Sequence, residues 1–419
     1  MPPLVNCTNK GNITYEQGSA GTNIGGIVGL TSSDVSNCIN NGTVSGKEAV
    51  GGIVAYRDGH AGSIISCVNT ASVTGTKYVG GVAGELQTGN IEKCLNSGNV
   101  EAQTYVAGIA GIVRMKSAGT IIKVCLNTGN VTSTLDTTDN VYVGGFVGSG
   151  DTCQLYECGN TGKITAKGSE VGGLFGYAES CTCVNSYNRG IVFGYTKVGG
   201  LAGYIRYKFT ATKCYSFVAE DNGSYYGIDC ELPGSALEYQ KTGSIVGYRF
   251  NTKVELNLSD NYWWRSCARR ALGWTYISGD YSGEGYTGVY WKNDMKNKDT
   301  YANFDFSKVW VIKDDAPVLR NTLKLSAAGG LGGSGGSGGT GGTGDPVLNK
   351  IYIGSLEAFK QLRDNVNNGN SYSGMEIYLA CDLDLGGENW TPIGIDKDHI
   401  FSGSFYGGGH VIKGLYIPV

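Results

Sequence analysis

The 419-residue chain has little charge, few histidines and no long apolar run, and each shortage removes a class of function. Asp, Glu, Lys and Arg make up 16% of it, the formal net charge is −3, and the basic residues are scattered, so there is no electrostatic footprint for a nucleic acid. No apolar stretch approaches the roughly 20 residues that span a bilayer, so no membrane insertion is expected within this segment. Met1 runs directly into Pro2-Pro3-Leu4-Val5 without a basic start, an apolar core or a small-residue cleavage site. A secretion signal is therefore absent from the segment, which reads as an excerpt of a longer chain. The three histidines, His60, His399 and His410, include no His-Glu-x-x-His arrangement, so zinc-peptidase chemistry is not expected. His60 and His410 read as turn residues, and no cofactor is implied.

Glycine, by contrast, is abundant at 69 residues, and Tyr, Asn, Ser and Thr are frequent, the composition of short strands joined by many turns. Two patterns alternate over residues 1–250. The first is apolar, small, small, apolar, apolar, small, as in Ile24-Gly25-Gly26-Ile27-Val28-Gly29. It recurs from Val50, Val79, Val106, Val143, Val171 and Val198 and, degenerate, from Thr242, in steps of 26, 29, 27, 37, 28, 27 and 44 residues. The second is Cys-x-Asn-x-Gly, with Cys7 and Asn9, Cys38 and Asn40, Cys94 and Asn96, Cys125 and Asn127, and Cys158 and Asn160. Cys67 and Asn69 precede Ala71 in place of glycine, and Ser186 stands for cysteine before Asn188.

A unit of about 27 residues with two or three short apolar strands cannot bury both faces alone, whereas stacked units can. Neighbouring units would then pair as parallel strands about 4.8 Å apart with like residues in columns. Asparagines would stack as a side-chain hydrogen-bond ladder, and the cysteines would form an inward column of small hydrophobes. Cys38, Cys67, Cys94 and Cys125 fall 27 to 31 residues apart, which also permits disulfides between coils. Metal binding is a third reading, although Cys181-Thr182-Cys183 lacks a second paired motif at zinc spacing.

These repeats resemble the GLUG motif family, and Gly172-Gly173-Leu174-Phe175-Gly176-Tyr177 is the nearest copy, within a resemblance covering residues 5–250. Such repeats occur in large bacterial surface and secreted proteins, including non-catalytic regions of IgA-specific metallopeptidases. The resemblance implies an all-β fold, a right-handed parallel β-helix of about nine to eleven coils with one short capping helix, at an extracellular or cell-surface location.

Residues 251–322 carry Trp263, Trp264, Trp274 and Trp291, then Asp305-Phe306, Val309-Trp310 and Pro317-Val318-Leu319, an ending similar to that of many proteins of this family. The segment reads as an aromatic cap over an open solenoid end. Residues 323–347 read as a flexible Gly/Ser/Thr linker. After it, residues 348–419 combine a helix bearing Leu356, Phe359, Leu362 and Val366 with strands typical of an opening coil; Tyr406 stands where the family usually has Asp. An N-terminal opening thus sits at the C-terminus, as in a circular permutation or a window across tandem units. Its edge, through Phe401, Phe405, Val411, Leu415 and Ile417, is expected to dock on the 5–28 coil in cis or in trans. A stack of ten coils measures about 50 Å. The linker extends to about 80 Å but relaxes to about 28 Å, so docking on a neighbour competes. Repeated trans docking would build a filament.

The function expected is a non-enzymatic structural or adhesive module of a bacterial surface protein whose partner is itself and, through loops, a host glycan or protein. The alternative is a carbohydrate-binding or carbohydrate-cleaving β-helix. Candidate ligand-binding aromatics are Tyr225, Tyr226, Trp263, Trp264, Trp274 and Trp291, which also suit a plug for the core. Candidate acid/base pairs are Asp382 with Asp384 and Asp280 with Glu284, each also readable as solvated loop or strand positions.

Overall fold

A computed structural model describes residues 2–15, 20–58, 62–114, 119–218, 227–230, 241–265, 268, 270–273, 282–283, 285–289, 292–313, 316–329, 350–353, 356–373, 375–379 and 382–417. They divide into two compact units, Met1–Leu323 and Lys324–Val419.

The first unit is a parallel β-solenoid. The coil that begins at Val35 shows its plan, with strands Val35–Ser36, Ile39–Asn40, Val44–Ser45, Glu48–Gly51 and Val54–Arg57 in sequence. Each pairs in parallel with the equivalent strand of the coils before and after it; Val50, for example, lies opposite Ile24 on one side and Val79 on the other. The irregular steps of the glycine motif therefore equal the strand register, and the long steps of 37 and 44 residues still set Val143 opposite Val106 and Thr242 opposite Val198.

Four sheets result, of 15, 11, 8 and 8 strands among the described residues. The largest joins the first and fifth strand positions, because in Phe175–Val184 and Ala202–Thr212 the fifth strand of one coil runs on into the first strand of the next.

The core is built from inward columns. Along the first strand position Val35, Ile64, Ile91, Ile122 and Leu155 follow one another in register, all fully buried. Along the fourth, Val50, Val79, Val106, Val143, Val171 and Val198 do the same. Each such side chain contributes about 1.5–3 kcal/mol by leaving water. Burial weakens at the first coil, where Leu4, Ile24, Ile27 and Val28 are half-buried while Val5 and Leu30 are 45% and 48% exposed.

Two corners of each coil use left-handed backbone at residues other than glycine. One precedes the cysteine position, at Asn37, Ser66, Lys93, Val124, Glu157, Asn185 and Lys213. The other precedes the Val-Gly-Gly motif, at Asn23, Ala49, Tyr78, Tyr105, Tyr142, Glu170 and Lys197. Such residues cost of order 1–3 kcal/mol each, which the surrounding pairing must offset.

Aromatic residues after 260 close the C-terminal side. Trp263 lies in register with Ser216, at the inward position that asparagine fills in earlier coils, and is 0% exposed. The antiparallel hairpin Trp310–Lys313 with Ala316–Leu319 brings Trp310 against Tyr187, Tyr215 and Phe304, at centroid distances of 6.2, 5.9 and 4.8 Å. Tyr187 and Tyr215 each precede the inward position on their strands and so face outward. The hairpin thus covers the outward face of the coils that carry Tyr187 and Tyr215.

In the second unit, Lys350–Ile353, Glu376–Leu379 and Ser404–Tyr406 pair in parallel, as do Leu383–Asp384 and Ile412–Lys413. Helix Leu356–Asn367 sets Phe359, Leu362 and Val366 into a core with Ile353, Ile377, Leu379 and Trp390, with Phe359 stacked on Trp390 at 5.1 Å.

One pair of glycine substitutions separates packing from composition. A Cβ on Gly81 would lie 2.3 Å from the Asn96 side chain and 2.3 Å from the Gly108 carbonyl, whereas one on Gly11 would meet nothing closer than 3.9 Å. Gly81→Ala is expected to destabilise by more than about 2 kcal/mol and Gly11→Ala to change stability by less than about 0.5 kcal/mol, measured as shifts in the urea midpoint.

Candidate functional site

Two internal ladders run the length of the repeats. Asn9, Asn40, Asn69, Asn96, Asn127, Asn160 and Asn188 stack one per coil, each Nδ2 donating to the Oδ1 of the next at 2.7 to 2.8 Å. The second amide hydrogen goes to the carbonyl two residues on, as from Asn96 to Gly98 at 2.8 Å. From Asn40 onward these side chains are 0% exposed, and the ladder supplies the partners that such burial demands.

The cysteine column is more polar than a run of small hydrophobes. Each cysteine follows a left-handed corner, where regular pairing is interrupted, and its sulfur repairs the interruption. The backbone N–H groups of Cys38, Cys67 and Cys94 donate to the Sγ of Cys67, Cys94 and Cys125 at 3.5, 3.4 and 3.4 Å. The thiols in turn donate to the carbonyl two residues back, as from Cys94 to Glu92 at 3.3 Å. Ser186 takes the same role beside Cys158 N–H at 3.2 Å, and Asn261 beside Cys214 N–H at 3.1 Å. All eleven described cysteines are free thiols. Burial pushes the thiols of Cys94, Cys125 and Cys153 up, and that of Cys181 to about 12.

Outside, a row of tyrosines follows the bend between the fourth and fifth strand positions. Tyr78, Tyr105 and Tyr142 occupy left-handed corners, with centroid separations of 5.0 and 4.4 Å. The row then crosses to the fifth strand, where Tyr177, Tyr204 and Tyr248 stack at 5.5 and 5.9 Å. At the crossing Tyr142 meets Tyr177 edge to face, 5.9 Å apart at 84°, beside a cleft of about 400 Å³. Burial raises Tyr105 and Tyr204 to about 12, so their hydroxyls stay protonated across the neutral range. Tyr78, Tyr105 and Tyr142 stand just ahead of the glycine motif and were not singled out from sequence; their signal was the residue before Val79, Val106 and Val143.

Of the aromatics singled out from sequence, Trp263 and Trp264 are 0% and 4% exposed; Trp264 lies 5.4 Å from Phe217. Neither is an exposed ligand-stacking face: Trp263 fills the inward position at the end of the asparagine ladder, in keeping with the plug reading, and Trp264 packs on Phe217. Tyr225, Tyr226, Trp274 and Trp291 lie outside the described residues, as do Asp280, Glu284 and His60.

The other carboxylate pair is engaged in turns. Asp382 accepts from Val411 N–H at 3.0 Å and faces His410 Nδ1 at 3.2 Å, while Asp384 accepts from Gly386 N–H at 3.0 Å and pairs with Lys413 at 3.2 Å. Those N–H donors, then His410 and Lys413, hold both carboxyls below their usual range, so neither is poised as a general acid. Among the described residues no group of three or more His, Cys, Asp and Glu side chains could hold a metal ion, and no helix is long and apolar enough to cross a membrane. On the edge singled out from sequence, Phe405, Val411, Leu415 and Ile417 are 40%, 56%, 56% and 49% exposed, and Phe401 is half-buried.

No protein-family model, curated protein or solved structure matches the chain. Its class rests on its own register: an all-β parallel β-solenoid of about 11 turns with short helices outside the repeat.

Alkaline titration tests the thiol column. Because the folded thiols ionise above their ordinary value of 9.0, their contribution is complete below about pH 9 and is lost as pH rises from 9 toward 12. The raised tyrosines act in the same sense from 10 upward. The urea midpoint is expected to be flat from pH 7 to 8 and to fall between pH 9 and 10.5; a flat profile throughout contradicts the assignment.

Proposed function

We propose that the chain is a non-catalytic structural module of a bacterial cell-surface protein, a rigid spacer that associates end to end by strand addition. The observation that carries this reading is the continuity of the columns. Side chains of one type follow one another from coil to coil, a construction that yields length and stiffness and commits most buried polar groups to holding the stack. The likeness of the repeats to the GLUG family supports the surface setting.

Strand addition is supported by two unfinished coils. Leu4–Val5, Thr8–Asn9, Ile13–Thr14 and Thr22–Gly25 are the terminal strands of their sheet ladders, with apolar side chains half-covered. In the second unit, Val411, Leu415, Tyr416 and Ile417 are about half exposed, on a segment whose parallel pairing is that of a solenoid coil. The occupant proposed for the first coil of one copy is the 401–417 segment of a second copy. That contact is heterologous, so it propagates.

Sedimentation velocity over a hundredfold range of concentration tests the proposal. Mass is expected to rise with concentration, and Val411→Asp with Leu415→Asp to leave a monomer, because a carboxylate buried in the new pairing would be unpaired. A monomer at all concentrations contradicts it.

A further inference from the structure

The outward face of the solenoid carries a second feature, at the crossing of the tyrosine row. In the coils of Val106 and Val143 the bulk stands at the corner, as Tyr105 and Tyr142, and the fifth-strand positions beside it hold Ile112 and Ser149. In the coils of Val171 and Val198 the arrangement reverses. Glu170 and Lys197 hold the corner, and Tyr177 and Tyr204 the strand, with Ser149 opposite Tyr177 in register. The cleft of about 400 Å³ falls where small gives way to large, and its size is that of a small-ligand site.

Its chemistry is balanced rather than charged. Arg114 meets Glu85 at 2.7 Å, Lys197 meets Glu170 at 2.8 Å, and Arg206 meets Glu179 at 3.5 Å while also reaching the Tyr177 hydroxyl at 3.3 Å. Each of these lining cations already faces a carboxylate, so nothing selects an anion. Glu170 is 2% exposed and gives Oε1 to Lys197, so this buried pair closes one side of the lining without offering a free charge. Tyr142 and Tyr177, both half-buried, add aromatic walls set at right angles.

A sugar ring matches this lining, having apolar C–H faces for the aromatic walls and hydroxyls that both donate and accept. We infer that the cleft between Tyr142 and Tyr177 binds a neutral oligosaccharide running along the solenoid axis. The row of stacked tyrosine rings continues over neighbouring coils, which fits a chain better than a single ring. This site lies on the side of the repeats and does not depend on end-to-end association.

Isothermal titration of the full chain with cello-, chito- and manno-hexaose, alongside oligogalacturonate as an anionic probe, tests the inference. Saturable binding of at least one neutral hexaose is expected, insensitive to salt and weakened about tenfold or more by Tyr142→Ala and by Ser149→Trp. Ser149→Trp fills the cleft from an outward position, so its circular dichroism spectrum should match that of the unaltered protein even if Tyr142→Ala disturbs the stack. The inference is overturned if no neutral hexaose binds, if only oligogalacturonate binds, or if the Ser149→Trp protein binds as tightly as the unaltered one.

Discussion

The contact between the second glycine of the Val-Gly-Gly motif and the asparagine that follows it, in the next coil, is the constraint on which the solenoid depends. A Cβ on Gly52, Gly81 or Gly108 would lie 2.5, 2.3 or 2.2 Å from Cγ of Asn69, Asn96 or Asn127, and 2.2, 2.3 or 2.4 Å from a carbonyl of the adjoining coil. Bare backbone on one wall therefore lets a polar side chain from the opposite wall fill the coil and reach its neighbour above. The first glycine is less demanding, for Ala107 takes its place in one coil without exposure. Where Ser216 replaces the asparagine, it packs at Gly200, and the inward column ends one coil later on Trp263.

The corners follow from the same geometry. A coil this narrow must turn sharply, and the left-handed residues that make the turn leave the next N–H without a regular partner. Sulfur at the cysteine position accepts that N–H at 3.4 to 3.5 Å and still packs as an apolar atom, as long as the thiol stays reduced and protonated. Ser186 and Asn261 show that the hydrogen bond is what the position requires.

Much of this was legible from residue spacing alone. The positions of Val50 through Val198 predict the register of the fourth strand, and Cys-x-Asn places the inward ladder, because both are one-per-coil features whose neighbours in space are their copies in sequence. What spacing does not reveal is adjacency between different positions of the coil. Tyr142 and Tyr177 belong to different columns, and only the bend brings them together. The aromatics of the C-terminal segment were ambiguous for another reason: a tryptophan that plugs a solenoid and one that stacks on a ligand have the same sequence, and Trp263 is separated from the second kind only by its register opposite Ser216.

Hydrogen exchange of the asparagine side-chain amides, followed by NMR, tests the central contact most directly. The Nδ2 hydrogens of Asn69, Asn96 and Asn127 are both bonded and fully buried, so they should exchange as slowly as the backbone amides of their own coils, far behind the exposed Asn12. Exchange of the three at the rate of Asn12 would contradict the account.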